Sequence, residues 1–523
     1  MSSGTWRFWR RFFWVLMLSI NCAGLVFLRT YPFTDLPNHL AEATIFKYDG
    51  DPSTPLGTAF TSQVTWYRPA IAHIVICSLF PSVEWGNTLL YLLYVVAVPG
   101  LVVLISKQCG SDSTIPMLSV LTLWNFNVMW GFAGYTLAIP LVLLSFYIHV
   151  TGILRPSRWT SFMLALVFLA LFWFHVLAFL FAGLCYVCVE IAHAVASRPA
   201  RATPWGQGMP LLPACALLIV WNVRGFEIRQ QSTLKFLKEY YLHHFLPDLP
   251  HRLSSLFIID GQAVASGGYG RLTAWCFSAV LIALGAVCIY RMRHRSVQVS
   301  FPQTFTLLFA LVALLCYCLL PAAIPGQNFV YQRFGVIVLL GMICVLSWAV
   351  PMFWSGLPRY AAVIAAAAYS LVWLDYFLEF HQVSSEFVEF FPRDRAVAES
   401  SVAALICDAD FRGHASLVHY NNYQIIWNKG LATTKLAEYR FGAIRRGVNT
   451  LPPYDEWIGS AEGGDTAAAV GRLAPEIDSY KSCDYLMAHG DIALDLLRTR
   501  SDYVVVRRSK TWMLAKHIPE NHH

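Results

Sequence analysis

The chain reads as a polytopic α-helical membrane protein of about eleven transmembrane helices, followed by a C-terminal α/β domain outside the cytosol. Three observations predict this class. Of 523 residues, 57% are hydrophobic and only 13% charged, with a mean hydropathy of +0.51, which lies outside the composition of ordinary soluble domains. Long apolar runs recur as far as about position 378, and beyond about 380 charged residues return while apolar runs shrink to strand length. Basic residues concentrate in every second loop, as they do when positive charge fixes topology.

The elements follow in order. Arg7, Arg10 and Arg11 precede an apolar run from Phe12 to Leu28. The run is long for a signal peptide, and the surroundings of Cys22 (S-I-N-C) make a poor cleavage or lipidation site, so a retained first helix is expected. Pro69–Ser82, which contains His73, is too short to span and is assigned to the interface. Further runs lie at about 86–106, 114–130, 131–153, 160–175, 176–196, 208–223, 272–290, 303–323, 330–353 and 359–378.

With that assignment the non-translocated loops hold Lys107, Arg155, Arg158, Arg198, Arg201, Arg291, Arg293, Arg295 and Arg359 besides the N-terminal arginines, against one clear acid, Asp112. The N-terminus is then cytosolic and the C-terminus extracytosolic. The formal charge of +7 thus reflects topology rather than a nucleic-acid partner, for which no motif is present. Cys185, Cys188, Cys316 and Cys318 sit in apolar runs as small hydrophobes, and no zinc-like spacing occurs. Whether Cys407 and Cys483 form a disulfide is left open.

Three regions share the outer face: a loop at about 29–85, a second at about 224–271, and everything after about 380. In the last, Tyr485–Ala488 and Tyr503–Val506 read as buried strands, Trp512–Ala515 as their partner after the R-R-S-K turn, and Arg393–Ile406 and Asp491–Arg498 as helices. The expected division is a transmembrane domain at 1–380 and an α/β domain at 381–523, with no internal repeat or low-complexity tract.

The chemistry-bearing stretch is Tyr31–Ala41, Y-P-F-T-D-L-P-N-H-L-A. Asp35, His39 and Glu42 stand at i, i+4 and i+7, so a helix opening near Pro37 presents a carboxylate and an imidazole on one face at the membrane surface. Asp35 is equally suited to be a plain N-cap. His175, in F-W-F-H-V, breaks the apolar stretch of 160–196 where the chain turns at the same face. There too lie Asn125, Asn127, Trp130 and Tyr135, and the P-G-Q-N-F-V-Y-Q-R-F segment with Gln327, Asn328, Tyr331, Gln332 and Arg333. Polar groups near a bilayer are functional candidates because each is costly unless paired or solvated. The competing readings are a packing histidine for His175, a snorkelling arginine for Arg333, and an interfacial aromatic belt for Trp66, Tyr67 and Trp130. His243, His244, His251 and Asp248 do not make a metal site, since adjacent histidines on a helix point apart.

A cytosolic N-terminus, a first helix leading into a long outer loop with an early acid, many further spans and an outer C-terminal domain resemble the GT-C superfamily of integral-membrane glycosyltransferases. The string F-T-D-L-P-N-H-L-A is similar to the first-loop segment of its poorly characterised bacterial members. The resemblance implies inverting transfer of a hexosyl or pentosyl unit from a lipid-linked donor, a polyprenyl phosphate or diphosphate, to an extracytosolic glycan, lipid or protein. It places the protein in an inner or plasma membrane of bacterial type and the general base on Asp35, with His39 and Glu42 beside it; from the residues themselves, Arg333, with Tyr331 or Arg68, is expected to meet the leaving phosphate, and His39 and His175 to orient the acceptor or the phosphate. The paired acids of some branches are missing here, and no cofactor is implied; a divalent metal is compatible but nothing indicates one. The rival classes are a transporter or flippase of lipid-linked saccharides and a membrane assembly protein. Nearly charge-free mid-spans and the lack of related halves weigh against a transporter.

Overall fold

A computed structural model describes residues 3–111, 114–196, 209–243, 245–259, 285–286, 290, 299–324, 327–350, 357–391, 397–434, 443–446, 473, 475 and 477–518. Among them, seven helices are long and apolar enough to cross a membrane, and three shorter apolar ones coincide with the expected runs at 114–130, 160–175 and 208–223. The run at 272–290 lies almost wholly outside the described residues. The chain is a multi-pass integral membrane protein.

The first helix, α1 (Ser3–Phe27), delivers the chain to a long first loop built from α2 (Leu36–Lys47), α3 (Pro55–Ala59), β1 (Phe60–Ser62) and α4 (Ala72–Ser78). Pro37 at the start of α2 and Pro55 at the start of α3 occupy the first turns, where a missing N–H costs nothing. At 1.5 Å per residue α4 is about 10 Å long, far short of the roughly 30 Å of hydrocarbon, so Pro69–Ser82 does not span. α5 (Val83–Gln108) opens on Ser82, whose hydroxyl accepts from the Glu84 amide, and crosses back.

The expected span at 114–130 takes another form. It folds as a 3-10 segment, Ile115–Thr122, and a single turn, α6 (Phe126–Met129), every residue of which is buried. Irregular backbone survives at membrane depth only when protein surrounds it. Several of its polar groups are met across helices: Trp124 Nε1 donates to Asn21 Oδ1 at 2.6 Å, and Asn21 Nδ2 to Ser370 Oγ at 2.9 Å. Such interhelical bonds contribute about 0.6 kcal/mol each inside a bilayer.

Next come α7 (Ala133–Leu154), α8 (Arg158–Phe174) and α9 (Val176–Ala196), which pack on one another. α10 (Leu212–His243) and α11 (Phe245–Ile259) make the region beyond 224 helical as far as 259, where a long outer loop was expected. α12 (Phe301–Leu319) leads through a short hairpin, β2 (Ala323–Ile324) and β3 (Gln327–Asn328), to α13 (Gly335–Ala349). α14 (Leu357–Phe390), about 51 Å long, carries the chain beyond the membrane through position 380.

The C-terminal region holds a five-stranded mixed sheet of order β5-β4-β7-β9-β8. Its strands are β4 (Ser401–Ile406), β5 (Leu431–Ala432), β7 (Tyr485–His489), β8 (Tyr503–Arg508) and β9 (Trp512–His517), with β6 (Ile444–Arg446) outside it. β7, β9 and the helix at Asp491–Arg498 match the expectation, whereas Tyr503–Val506, expected to be a buried strand, is the edge strand β8 with Val504, Val505 and Val506 exposed. Of the helix expected over Arg393–Ile406, the described part, 397–406, is not helical. Val402–Ile406 is a parallel strand, paired Val402↔Tyr485 through Ile406↔His489, because a strand buried on both faces is a continuous apolar run without period. β6 pairs instead with β1 of the first long loop, Phe60↔Arg446 to Ser62↔Ile444. Among the described residues every cysteine is free, Cys407 and Cys483 included.

Candidate functional site

Asp35 sits at the start of α2 in the first long loop, and three elements fix it. Its own amide donates to the Trp130 carbonyl at 3.1 Å, and the Thr34 amide to the Met129 carbonyl at 2.9 Å, so the loop lies against the α6–α7 turn. That turn needs Gly131. Its φ of +73° is left-handed, and a Cβ there would come within 2.7 Å of the Asp35 nitrogen and 3.0 Å of its carbonyl carbon. Below the loop, Phe33 stacks between Tyr31 and Tyr91, with ring centroids at 6.0 and 5.6 Å, and the Trp124–Phe377 pair closes the floor. Aromatic pairs of this kind contribute about 0.5–1.5 kcal/mol each beyond their area.

Asp35 occupies the N-cap position of α2, but its side chain makes no capping bond. The carboxylate goes elsewhere: His419 Nε2 stands 3.1 Å from Asp35 Oδ1. His419 is 1% exposed and belongs to the C-terminal region, 384 residues away. Its neighbours run along the same loop. His414 Nε2 donates to the Met129 carbonyl at 2.7 Å and lies 2.9 Å from Thr34 Oγ1, and Ser416 Oγ donates to the Pro32 carbonyl. Tyr420 OH bonds Thr30 Oγ1, and Asn422 Nδ2 donates to Asn38 Oδ1 at 2.8 Å. Burial holds the His414 imidazole below the usual histidine range.

The other expected residues distribute themselves around this point. His39 Nδ1 pairs with Glu42 Oε2 at 3.1 Å, and the His39 ring meets His73 edge to face at 6.1 Å. His73 is buried, bonded to Asn87 Oδ1 at 3.0 Å, and pushed down to about 4 by burial first and His39 second. Arg333 Nη1 donates to His175 Nε2 at 2.9 Å, and its guanidinium lies 4.1 Å over the Phe132 ring. Burial first, then Arg333 and then His39, hold His175 well below the histidine range, so it is neutral. Arg333 also interacts electrostatically with Asp35. Asp35, His39, Glu42, His175 and Arg333 therefore share one neighbourhood.

Within it, hydrogen-bonding capacity exceeds supply. Among the described residues the buried atoms Arg333 Nε, Asn127 Oδ1, Tyr135 OH and Gln332 Oε1 have no partner, and Arg333 has no carboxylate within ion-pair distance. Arg333 Nη2 also reaches the Asn328 carbonyl at 3.4 Å, so the buried guanidinium is held by neutral partners, and a buried charge in that condition is further stabilised by an anion.

Tyr331 and Arg68 face other partners. The Tyr331 ring carries the Arg252 guanidinium at 4.1 Å and meets Tyr317 at 5.3 Å. Arg68 donates to the Gln63 carbonyl at 3.2 Å, and burial and then the like charge of Arg445 hold it below the usual arginine range. Arg224 lies 4.8 Å over the neighbouring Tyr67 ring. Trp173 Nε1 donates to the Trp66 carbonyl at 2.8 Å, which ties this basic turn to the end of α8 beside His175. His419, His414 and Arg252 were missed in the sequence; no periodicity marks the two histidines, and the helix of Arg252 falls in a presumed loop. His244 lies outside the described residues, and among those described no three potential metal ligands converge.

The helical core with its long first loop and C-terminal sheet has the GT-C fold. A crystal structure of ArnT from Cupriavidus metallidurans bound to undecaprenyl phosphate superposes with a TM-score of 0.53 over 99% of each chain, at 12% sequence identity. No protein-family model matches the chain, and no curated protein sequence does either.

Proposed function

We propose that this protein is a glycosyltransferase that moves a sugar from a polyprenyl-phosphate-type carrier to an extracytosolic acceptor, with Asp35 as the general base. The observation that supports it most is a pinned carboxylate, Asp35, in one neighbourhood with a buried arginine, Arg333, that makes no salt bridge among the described residues, in a GT-C fold. The bound undecaprenyl phosphate of the ArnT neighbour indicates the class of carrier. The loop charges support a cytosolic N-terminus, which puts Asp35 outside.

The step balances without any further reactant. The acceptor hydroxyl gives its proton to Asp35, its oxygen bonds to the anomeric carbon, and the bond from that carbon to the phosphate oxygen breaks with inversion. The lipid phosphate leaves with the added negative charge, which Arg333 meets by charge-assisted hydrogen bonds in a site shielded from water. Neutral His175 fixes the Arg333 guanidinium, and His39, held by Glu42, orients substrate. Arg68 stands with Arg224 and Arg445 on the approach, where clustered positive charge attracts a phosphate.

Asp35→Asn tests the reading. The side chain makes no capping bond, so the variant should insert and fold normally, yet it cannot accept a proton at neutral pH. Sugar transfer by the purified, folded variant should fall by on the order of a hundredfold or more. Near-parental transfer would defeat the assignment.

A further inference from the structure

The segment from His414 to Asn422 is zipped along the first outer loop on both sides of Asp35. Upstream of His419, Ser416 and His414 hold Pro32, Thr34 and Met129; downstream, Tyr420 and Asn422 hold Thr30 and Asn38. These four residues bond backbone carbonyls or neutral side chains and already align the segment. His419 differs, because from almost complete burial it directs Nε2 at the carboxylate.

We propose that His419 is the positioning residue for Asp35: its Nε2–H donates to Oδ1, orients the carboxylate and stabilises its charged form, so the C-terminal region completes the base. This rests on the reading of Asp35 as general base. A carboxylate at a helix start ordinarily turns back to the helix amides. Here that bond is not made, and the histidine supplies the orientation instead. Other charged or titratable groups face Asp35 from each side, namely His39 and Glu42 on its own helix, Arg333 across the site and His414 from the C-terminal segment. His414 Nε2 is engaged by Met129 and Thr34, and His39 Nδ1 by Glu42.

The test uses the full chain in nanodiscs, undecaprenyl-phosphate-linked hexose and pentose as donors, and an envelope lipid and glycan extract as acceptor. His419→Phe keeps a ring but has no donor, His419→Asn stays polar but is too short to reach, and His419→Gln places an N–H near the position of Nε2. Turnover of the Phe and Asn variants should fall roughly ten- to a hundredfold, the range for a hydrogen bond to a charged group, with donor KM within about twofold of the parent. The Gln variant should recover to within about fivefold. The acid limb of the rate profile should move to higher pH in the Phe and Asn variants, because a carboxylate that loses a donor binds its proton more tightly. Parental turnover and acid limb in all three variants would overturn the proposal, as would an equal loss in all three with altered donor KM, which marks a structural contact. A parallel Asp35→Asn control separates the two claims. If it is inactive while the His419 variants behave as parent, only the histidine's role falls; if it is fully active, the general base and its positioning residue fall together.

Discussion

Gly131→Ala probes how tightly Asp35 is held without altering any polar group of the site. The substitution carries two costs. A left-handed backbone strains an alanine by about 1–2 kcal/mol, and the new Cβ collides with the Asp35 backbone at 2.7 and 3.0 Å, where nothing flexible can yield. Normal contact requires the Asp35 turn to move by roughly 1 Å, and misplacement on that scale costs about a hundredfold in rate. Gly110 provides the control, since its φ of +74° imposes the same strain while nothing lies within 4 Å of its Cβ position. Both variants should therefore lose stability in a detergent melting assay, Gly131→Ala the more because the collision adds to the shared strain, and only Gly131→Ala should lose transfer beyond tenfold at saturating donor. If the two variants keep equal activity, the α6–α7 turn does not set the carboxylate's position and the geometric argument fails.

The remaining predictions concern charge and topology. Arg333→Gln should weaken undecaprenyl phosphate binding more than Arg333→Lys, which keeps charge but loses the planar fork; equal, parental binding by both would leave Arg333 a packing residue. Because the folded-state value of His73, about 4, lies below the unfolded value near 6.5, its contribution to stability is complete above 6.5 and is lost as pH falls from 6.5 toward 4. Melting at pH 5 should thus show a loss of about 2 kcal/mol relative to pH 7.5, absent in His73→Gln, and an equal loss in the variant would exclude His73 as the source. A reporter active only in the cytosol, fused after His523, should stay silent; strong signal would reverse the orientation argued from the loop charges.

The membrane helices were legible because a span needs a long apolar run and little else. Asp35, His39 and His175 were legible for the converse reason: each is a polar group at the edge of such a run. The strands Tyr485–His489 and Trp512–His517 stood out between turn signals. Ser401–Ile406 did not, because an unbroken apolar stretch is shared by buried strands and buried helices, and its identity is decided by the distant partners Leu431 and Tyr485. The same distance hid His419. Nothing in D-A-D-F-R-G-H-A-S-L-V-H-Y indicates that its last histidine meets an acid near the start of the chain, since that contact is made by folding across the whole molecule. Tyr331 and Arg333 were grouped by adjacency, whereas the 3-10 turn at Gln332–Phe334 sends them to different partners, Arg252 and His175.

The joining of β1 to β6 and of the loop at 30–38 to the segment at 414–422 has a consequence for engineering and for descent. The two ends of the chain form one composite part, although most of the sequence separates them. A chimera that imports only the C-terminal region from a related chain, for instance to change acceptor choice, will arrive with mismatched contacts around Asp35 and should be inactive however well its sheet folds. Transplanting 29–85 together with the C-terminal region keeps the part whole. The same constraint acts on inherited change, so substitutions at Asn38 and Asn422, or at Thr30 and Tyr420, are expected to be accepted in pairs.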